Sequence, residues 1–196
     1  MQLLEVTKKM FYVFSVLFMS AGVALAEVDC RSANITNPDV INCSQKSFEK
    51  IDKVLNEQYK ALMPELDSST RAELLSTQKK WITFRNEYCK SDDEEAGESP
   101  IEQLSCMKQL TSFRVAELVY LRTGVIGDGF YKAVSLANEK ATAMNYPEAL
   151  KFVGGSEDFG PAWKGYAEEN CAITSKLFGE AEDRCMARMR FQIPIY

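Results

Sequence analysis

Trp81-Ile82-Thr83-Phe84-Arg85-Asn86-Glu87-Tyr88-Cys89 is echoed by Trp163-Lys164-Gly165-Tyr166-Ala167-Glu168-Glu169-Asn170-Cys171. Each stretch sets a tryptophan eight positions and an aromatic five positions ahead of a cysteine, and a Cys-Met pair (Cys106-Met107, Cys185-Met186) closes each unit. Residues three apart share a helical face, and a residue eight further on lies about two turns along near that same face. Each copy therefore reads as a helix that packs through its aromatic side and ends at a cysteine able to staple the next segment. No catalytic motif accompanies the repeat.

Working outward, residues 44–66 carry Phe48, Ile51, Val54, Leu55, Tyr59, Leu62 and Leu66, an apolar stripe at three- and four-residue steps, with Ser44 as cap. Pro64 should end this helix near Met63. A second helix is expected after Asp67-Ser68-Ser69, with Thr70 and Glu73 in a capping-box relation, running to Cys89. Ser99-Pro100-Ile101-Glu102 is a strong start for a third, which should stop at Thr123-Gly124. Gly124 to Gly129 is the expected boundary between modules. Beyond it the sequence predicts a helix over 130–144 ended by Tyr146-Pro147, a loop over 153–160, the repeat's Trp helix from Pro161, and a short helix through Cys185. No strand alternation stands out, so the fold class is all-α, a disulfide-stapled set of helical hairpins.

The first 26 residues read as an export signal. Lys8 and Lys9 precede an apolar run from Met10 to Val23, and Ala24-Leu25-Ala26 has the form of a cleavage site. The run is short for a membrane span, and Ala26-Glu27-Val28-Asp29 lacks the small apolar residues expected before a lipid-modified Cys30. The organisation expected is thus a signal peptide over 1–26, a first module over 27–124 and a degenerate second copy over 125–196. The expected location is outside the cytoplasm, periplasmic in the first place, with secretion as the alternative.

All six cysteines (Cys30, Cys43, Cys89, Cys106, Cys171, Cys185) follow the expected cleavage point. In an oxidising compartment that implies disulfides, for which fifteen pairings are open. The repeat argues for Cys89–Cys106 and Cys171–Cys185, which leaves Cys30–Cys43. Closing a loop of such size stabilises by about 3 kcal/mol in the chain-entropy model. A metal site would want short-spaced cysteine pairs or histidines, and the chain has no histidine. Neither metal nor cofactor is expected. The formal net charge is −5, one unit more negative without the leader, which gives no electrostatic reason to hold nucleic acid or anionic lipid and suits a basic partner.

The N-terminal unit resembles the LprI-like lysozyme-inhibitor domain of exported bacterial proteins. The residues that carry the resemblance are Cys43, Leu55-Asn56, Tyr59, Gln78, Trp81, Arg85, Cys89, Cys106, Leu110-Thr111, Arg114, Glu117 and Leu118, over about residues 30–122. It implies an all-α, disulfide-stapled exported domain whose named activity is inhibition of lysozyme. Departures are Asn86 in place of the usual Asp after the arginine, and a loop reduced to Gly97-Glu98-Ser99. In the second copy Ala167 stands where Arg85 does.

Asn56, Gln78, Arg85 and Arg114 lie on or near the apolar stripes. One reading makes them a recognition cluster. The favoured one makes them a buried network that fixes helix register, with Arg85 paired to a carboxylate such as Glu117. Trp81 and Trp163 are read as core anchors rather than sugar-stacking platforms. The acidic run Asp92, Asp93, Glu94, Glu95 with Glu98, and the second loop with Glu157 and Asp158, read either as solvated loops or as probes steering toward a basic hydrolase. Clustered carboxylates in charged, Gly-bearing loops do not supply the raised-pKa acid a glycan hydrolase needs, so an enzyme is not expected. Inhibition of lysozyme or a related cell-wall glycan hydrolase by association is the leading expectation; an envelope interaction, immunity or assembly factor is the alternative.

Overall fold

A computed structural model describes residues 29–32, 34–90, 99–127, 129–139 and 143–193. The expected leader and the run Asp92 to Glu98 lie outside the described residues. Among those described are seven α-helices: α1 (Asn37–Leu62), α2 (Ser68–Tyr88), α3 (Ser99–Thr123), α4 (Gly129–Ala137), α5 (Tyr146–Gly154), α6 (Gly160–Phe178) and α7 (Glu182–Phe191). The fold is all-α, as the repeat and stripes predict. None of these helices is long and apolar enough to cross a membrane.

The helix ends follow from local chemistry. α1 begins two turns before the expected Ser44, because Thr36 and Asp39 form a capping box and Pro38 needs no amide hydrogen in the first turn. Pro64 stops α1 after Leu62 in a single 3-10 turn, Met63–Glu65. Asp67, rather than Thr70, caps α2 through the amides of Ser69 and Thr70. Two expectations beyond Gly124 are corrected. The helix expected over 130–144 ends at Ala137, and Tyr146-Pro147 opens α5 instead of closing α4. Asn145 and Glu148 form a capping box there, with Pro147 in the first turn, so the proline reads as a start.

The two Trp units pack directly on each other. α2 and α6 run antiparallel: Tyr88 meets Phe159, Phe84 stacks on Tyr166 at 6.2 Å between ring centroids, Lys80 pairs with Glu169 at 2.6 Å and Glu73 with Lys176 at 3.2 Å. Phe84 and Tyr166 are equivalent positions of the repeat, so the copies meet through like residues. Unlike α2, α6 does not end at its cysteine. It runs two turns past Cys171 to Gly179, whose left-handed backbone (φ 67°) turns the chain toward α7.

The main core draws on both sides of Gly124: Leu55, Leu62, Leu74, Trp81, Phe84, Leu110 and Leu118 join Trp163, Tyr166, Ile173 and Met189. A smaller cluster of Phe130, Val134, Ala149, Leu150 and Ala187 holds α4 and α5 against α7. There Gly154 meets Ala187 so closely that a Cβ would stand 2.7 Å from the Ala187 Cβ. Three disulfides staple the chain, Cys30–Cys43, Cys89–Cys106 and Cys171–Cys185, as the repeat argues.

Candidate functional site

The polar residues of the first unit divide between a buried network and the helix surface. Arg114, on α3, is almost fully buried; its Nε donates to Gln78 Oε1 on α2 at 2.9 Å. Its Nη1 donates to Asn170 Oδ1 on α6 at 2.7 Å and to the Tyr166 hydroxyl at 3.4 Å, with the guanidinium over the Tyr166 ring. Asn170 in turn donates to Glu117 Oε2 at 3.0 Å. Glu117 also accepts from Arg188 on α7 and from Gln192, and Arg188 forks onto Glu180 with both bonds at 3.0 Å. Burial opposes the charge on Arg188, but Glu117 and Glu180 more than offset it and hold its pKa above the ordinary arginine value. Tyr131 of α4 donates to Glu180 at 3.3 Å; burial, and then that carboxylate, push its hydroxyl up to about 12.

Arg85 stands elsewhere, and this corrects its expected pairing with Glu117. Its guanidinium lies over Trp81 at 4.8 Å and over Phe48 at 5.4 Å, and reaches the Asp52 carboxylate at 3.6 Å. Glu117 lies on the face of α3 that meets α6 and α7, whereas Arg85 faces α1. Burial draws the Arg85 pKa down against the pull of Asp52. Asn56 is exposed and shares that carboxylate, donating to it at 3.0 Å. Tyr59, half-buried on α1, has its hydroxyl pKa raised by burial, with Arg114 acting the other way. Trp81 and Trp163 are both buried; Arg190 covers Trp163 at 5.1 Å.

Through these contacts Gln78 and Arg114 link α2, α3 and α6, and Arg85 reaches from α2 to α1. The residues that sequence reasoning missed are Asn170, Glu180 and Arg188. Arg188 stands one turn beyond Cys185, and Asn170 one turn beyond Tyr166 on the Trp163 face, the hints that they point inward; no helical pattern marks Glu180, which precedes α7.

Of the surface candidates, Glu157 and Asp158 fall among the described residues. Both are exposed, and Asp158 Oδ1 accepts from the Gly160 amide at 2.9 Å, just before α6. Glu157 Oε2 accepts from the Ser156 amide at 3.1 Å. The Tyr88–Phe159 contact sets this loop beside the end of α2, where the chain leaves toward residues 91–98 and returns at Ser99. The Cys89–Cys106 staple, Cα atoms 5.5 Å apart, fixes the root of that excursion. An open cleft of about 440 Å³ lies there, bounded by Tyr88, Lys90, Ile101 and Gln103. Among the described residues no group of three or more carboxylates, cysteines or histidines is placed to hold a metal ion.

Cys89–Cys106 staples α2 to α3 at the end where the chain passes from one to the other, and α1 packs along α3; an all-α, disulfide-stapled domain is what the family resemblance implies. Residues 30–118 match the lysozyme inhibitor LprI family. No curated protein and no solved structure matches the chain. The LprI match takes in α1, α2 and most of α3 with two of the three staples; α4 to α7 lie beyond it. Every polar residue that carried the resemblance, from Asn56 to Glu117, thus falls inside the matched segment, while Asn170, Glu180 and Arg188, which complete its buried network, come from outside it.

Proposed function

We infer that this is an exported protein that inhibits lysozyme, or a related cell-wall glycan hydrolase, by binding it and not by chemistry of its own. The observation that carries this reading is the LprI family match over residues 30–118. Three disulfides fit an oxidising, extracytoplasmic compartment, periplasmic in the first place. The acidic balance, pI about 5.0, fits a basic hydrolase as partner.

The end of the molecule where α2 ends and α6 begins is the face we assign to the partner. Asp92, Asp93, Glu94, Glu95 and Glu98 lie in the chain between Cys89 and Cys106, and Glu157 and Asp158 stand beside its root. Carboxylates draw in a cationic surface over the distance of a Debye length, about 8–10 Å. They repel the two carboxylates of a glycosidase cleft at close range. The contact is accordingly at the rim of the cleft, where substrate entry is blocked.

The test is residual lysis of cell walls by chicken-type, goose-type and invertebrate-type lysozymes, titrated with the oxidised protein. Stoichiometric loss of activity for one type is the expected result. No effect on any type at micromolar excess sinks the inhibitor reading, and weight passes to an envelope partner that is not a hydrolase.

A further inference from the structure

The three disulfides are not alike in their surroundings. Cys171 and Cys185 are 1 % and 0 % exposed, Cys89 and Cys106 are 5 % and 6 %, and all four sit in the main core. Cys185 Sγ is also enclosed by the Thr174 hydroxyl at 3.4 Å and by Arg188 at 3.6 Å. Cys30, by contrast, is exposed and Cys43 only half-buried; both line an open cleft of about 530 Å³, whereas Cys89 and Cys106 border the cleft of about 440 Å³ as buried residues. Among the described residues, Arg31, Lys46, Lys50 and Asp29 line the same cleft.

We propose that Cys30–Cys43 is a thiol–disulfide exchange site, opened and closed by a dithiol partner while the rest of the fold stays intact. The thiolate of the dithiol attacks the exposed Cys30 Sγ. The Cys30–Cys43 bond breaks, and Cys43 leaves as a thiolate that takes up a proton. The second thiol of the reductant then attacks the mixed disulfide and closes its own disulfide, releasing Cys30. The reductant loses two electrons and the cysteine pair gains them. Exchange is faster where sulfur is accessible and where the leaving thiolate is stabilised, and the cationic wall of this cleft supplies the second condition.

Local opening is possible because, among the described residues, the cap and the buried side chains of α1 lie apart from this staple. α1 has its own start, the Thr36–Asp39 capping box, six residues beyond Cys30. The residues that α1 buries are Leu55 and Leu62, three and five turns past Cys43. Breaking the bond frees residues 29–36 and the first turns of α1 without touching the core. Breaking either of the others opens the core itself. This inference is independent of the lysozyme reading: an exchange site stands whether or not a hydrolase is the partner.

The experiment is a timed reduction of the native protein with dithiothreitol, quenched by alkylation and read by peptide mapping. Cys30 and Cys43 should be labelled roughly tenfold or more faster than the other four cysteines, with helicity by circular dichroism unchanged at that stage. Labelling of Cys89 and Cys106 at the same rate, or no labelling until helicity is lost, overturns the proposal. A Cys30→Ser, Cys43→Ser double variant gives a second readout. It should keep the same helicity and the same slow release of the remaining four thiols; loss of the fold in that variant also overturns the proposal.

Discussion

Tyr88 and Phe159 stand edge to face, ring centroids 5.9 Å apart, and so bind the exit of α2 to the entrance of α6. Residues 71 positions apart in the chain thereby bring the end of α2 beside the loop of Glu157 and Asp158. If a basic hydrolase docks there, reversing the charge of Asp92, Asp93, Glu94 and Glu95 to lysine should slow its association by roughly tenfold or more at low salt. Stopped-flow binding at two ionic strengths measures this. An unchanged association rate would place the partner elsewhere. Glu157 is the residue to reverse in the second loop, since replacing Asp158 also removes the acceptor of the Gly160 amide.

Glu117 carries three donors at once, and removing its carboxylate leaves Arg188 buried with half its compensation gone. Glu117→Ala should cost about 3–5 kcal/mol of unfolding free energy, the usual penalty for stranding one member of a buried ion pair. Urea denaturation followed by circular dichroism gives the value. A loss under about 1 kcal/mol would mean that the network is not a structural element.

Gly154 has no room for a side chain: a Cβ would also approach the Ala187 Cα to 2.8 Å, a backbone atom that cannot move aside. Gly154→Ala should destabilise by about 1–3 kcal/mol. Adding Ala187→Gly removes the clashing methyl, so a double-mutant cycle should show partial rescue. Strict additivity of the two changes would argue against the contact.

Asp67 caps α2 with both carboxylate oxygens engaged, Oδ2 accepting from the Thr70 hydroxyl at 2.6 Å. The Thr70 hydroxyl and amide bonds hold its pKa down to about 2, below the ordinary 3.8. A depressed carboxylate favours the fold above its unfolded value, and that contribution drains away as pH falls through the folded one. The melting temperature of Asp67→Asn should therefore lie below that of the parent at neutral pH, with the gap closing between roughly pH 4 and pH 2. A gap that stays constant over this window would show that ionisation of the cap is irrelevant.

Much of the fold was legible because its signals are local. Pro64 and Ser99-Pro100-Ile101-Glu102 each determine a helix end from within a few residues, and the doubled Trp–aromatic–Cys pattern pointed to the staples. Thr36-Asn37-Pro38-Asp39 was equally local and was overlooked, since the apolar stripe of α1 begins only at Phe48. Tyr146-Pro147 misled because a proline that cannot continue one helix is well suited to begin another. The pairing of charges was not legible at all. Arg85 and Arg188 are both arginines on helices near a cysteine, and which of them meets Glu117 is decided by the α3–α7 contact across 71 positions. The residues that could touch a partner are the least constrained by packing, so composition alone points to them.

Arg114 is matched in the middle of the sequence by acceptors that the ribosome makes much later, Asn170 lying 56 residues downstream. Without α6 the Phe84 face of α2 would lose Tyr166 and the Arg114 guanidinium would lose Asn170 and Tyr166. The segment that the family model matches is therefore completed by helices outside it, and Cys171–Cys185 ties together the two that complete it.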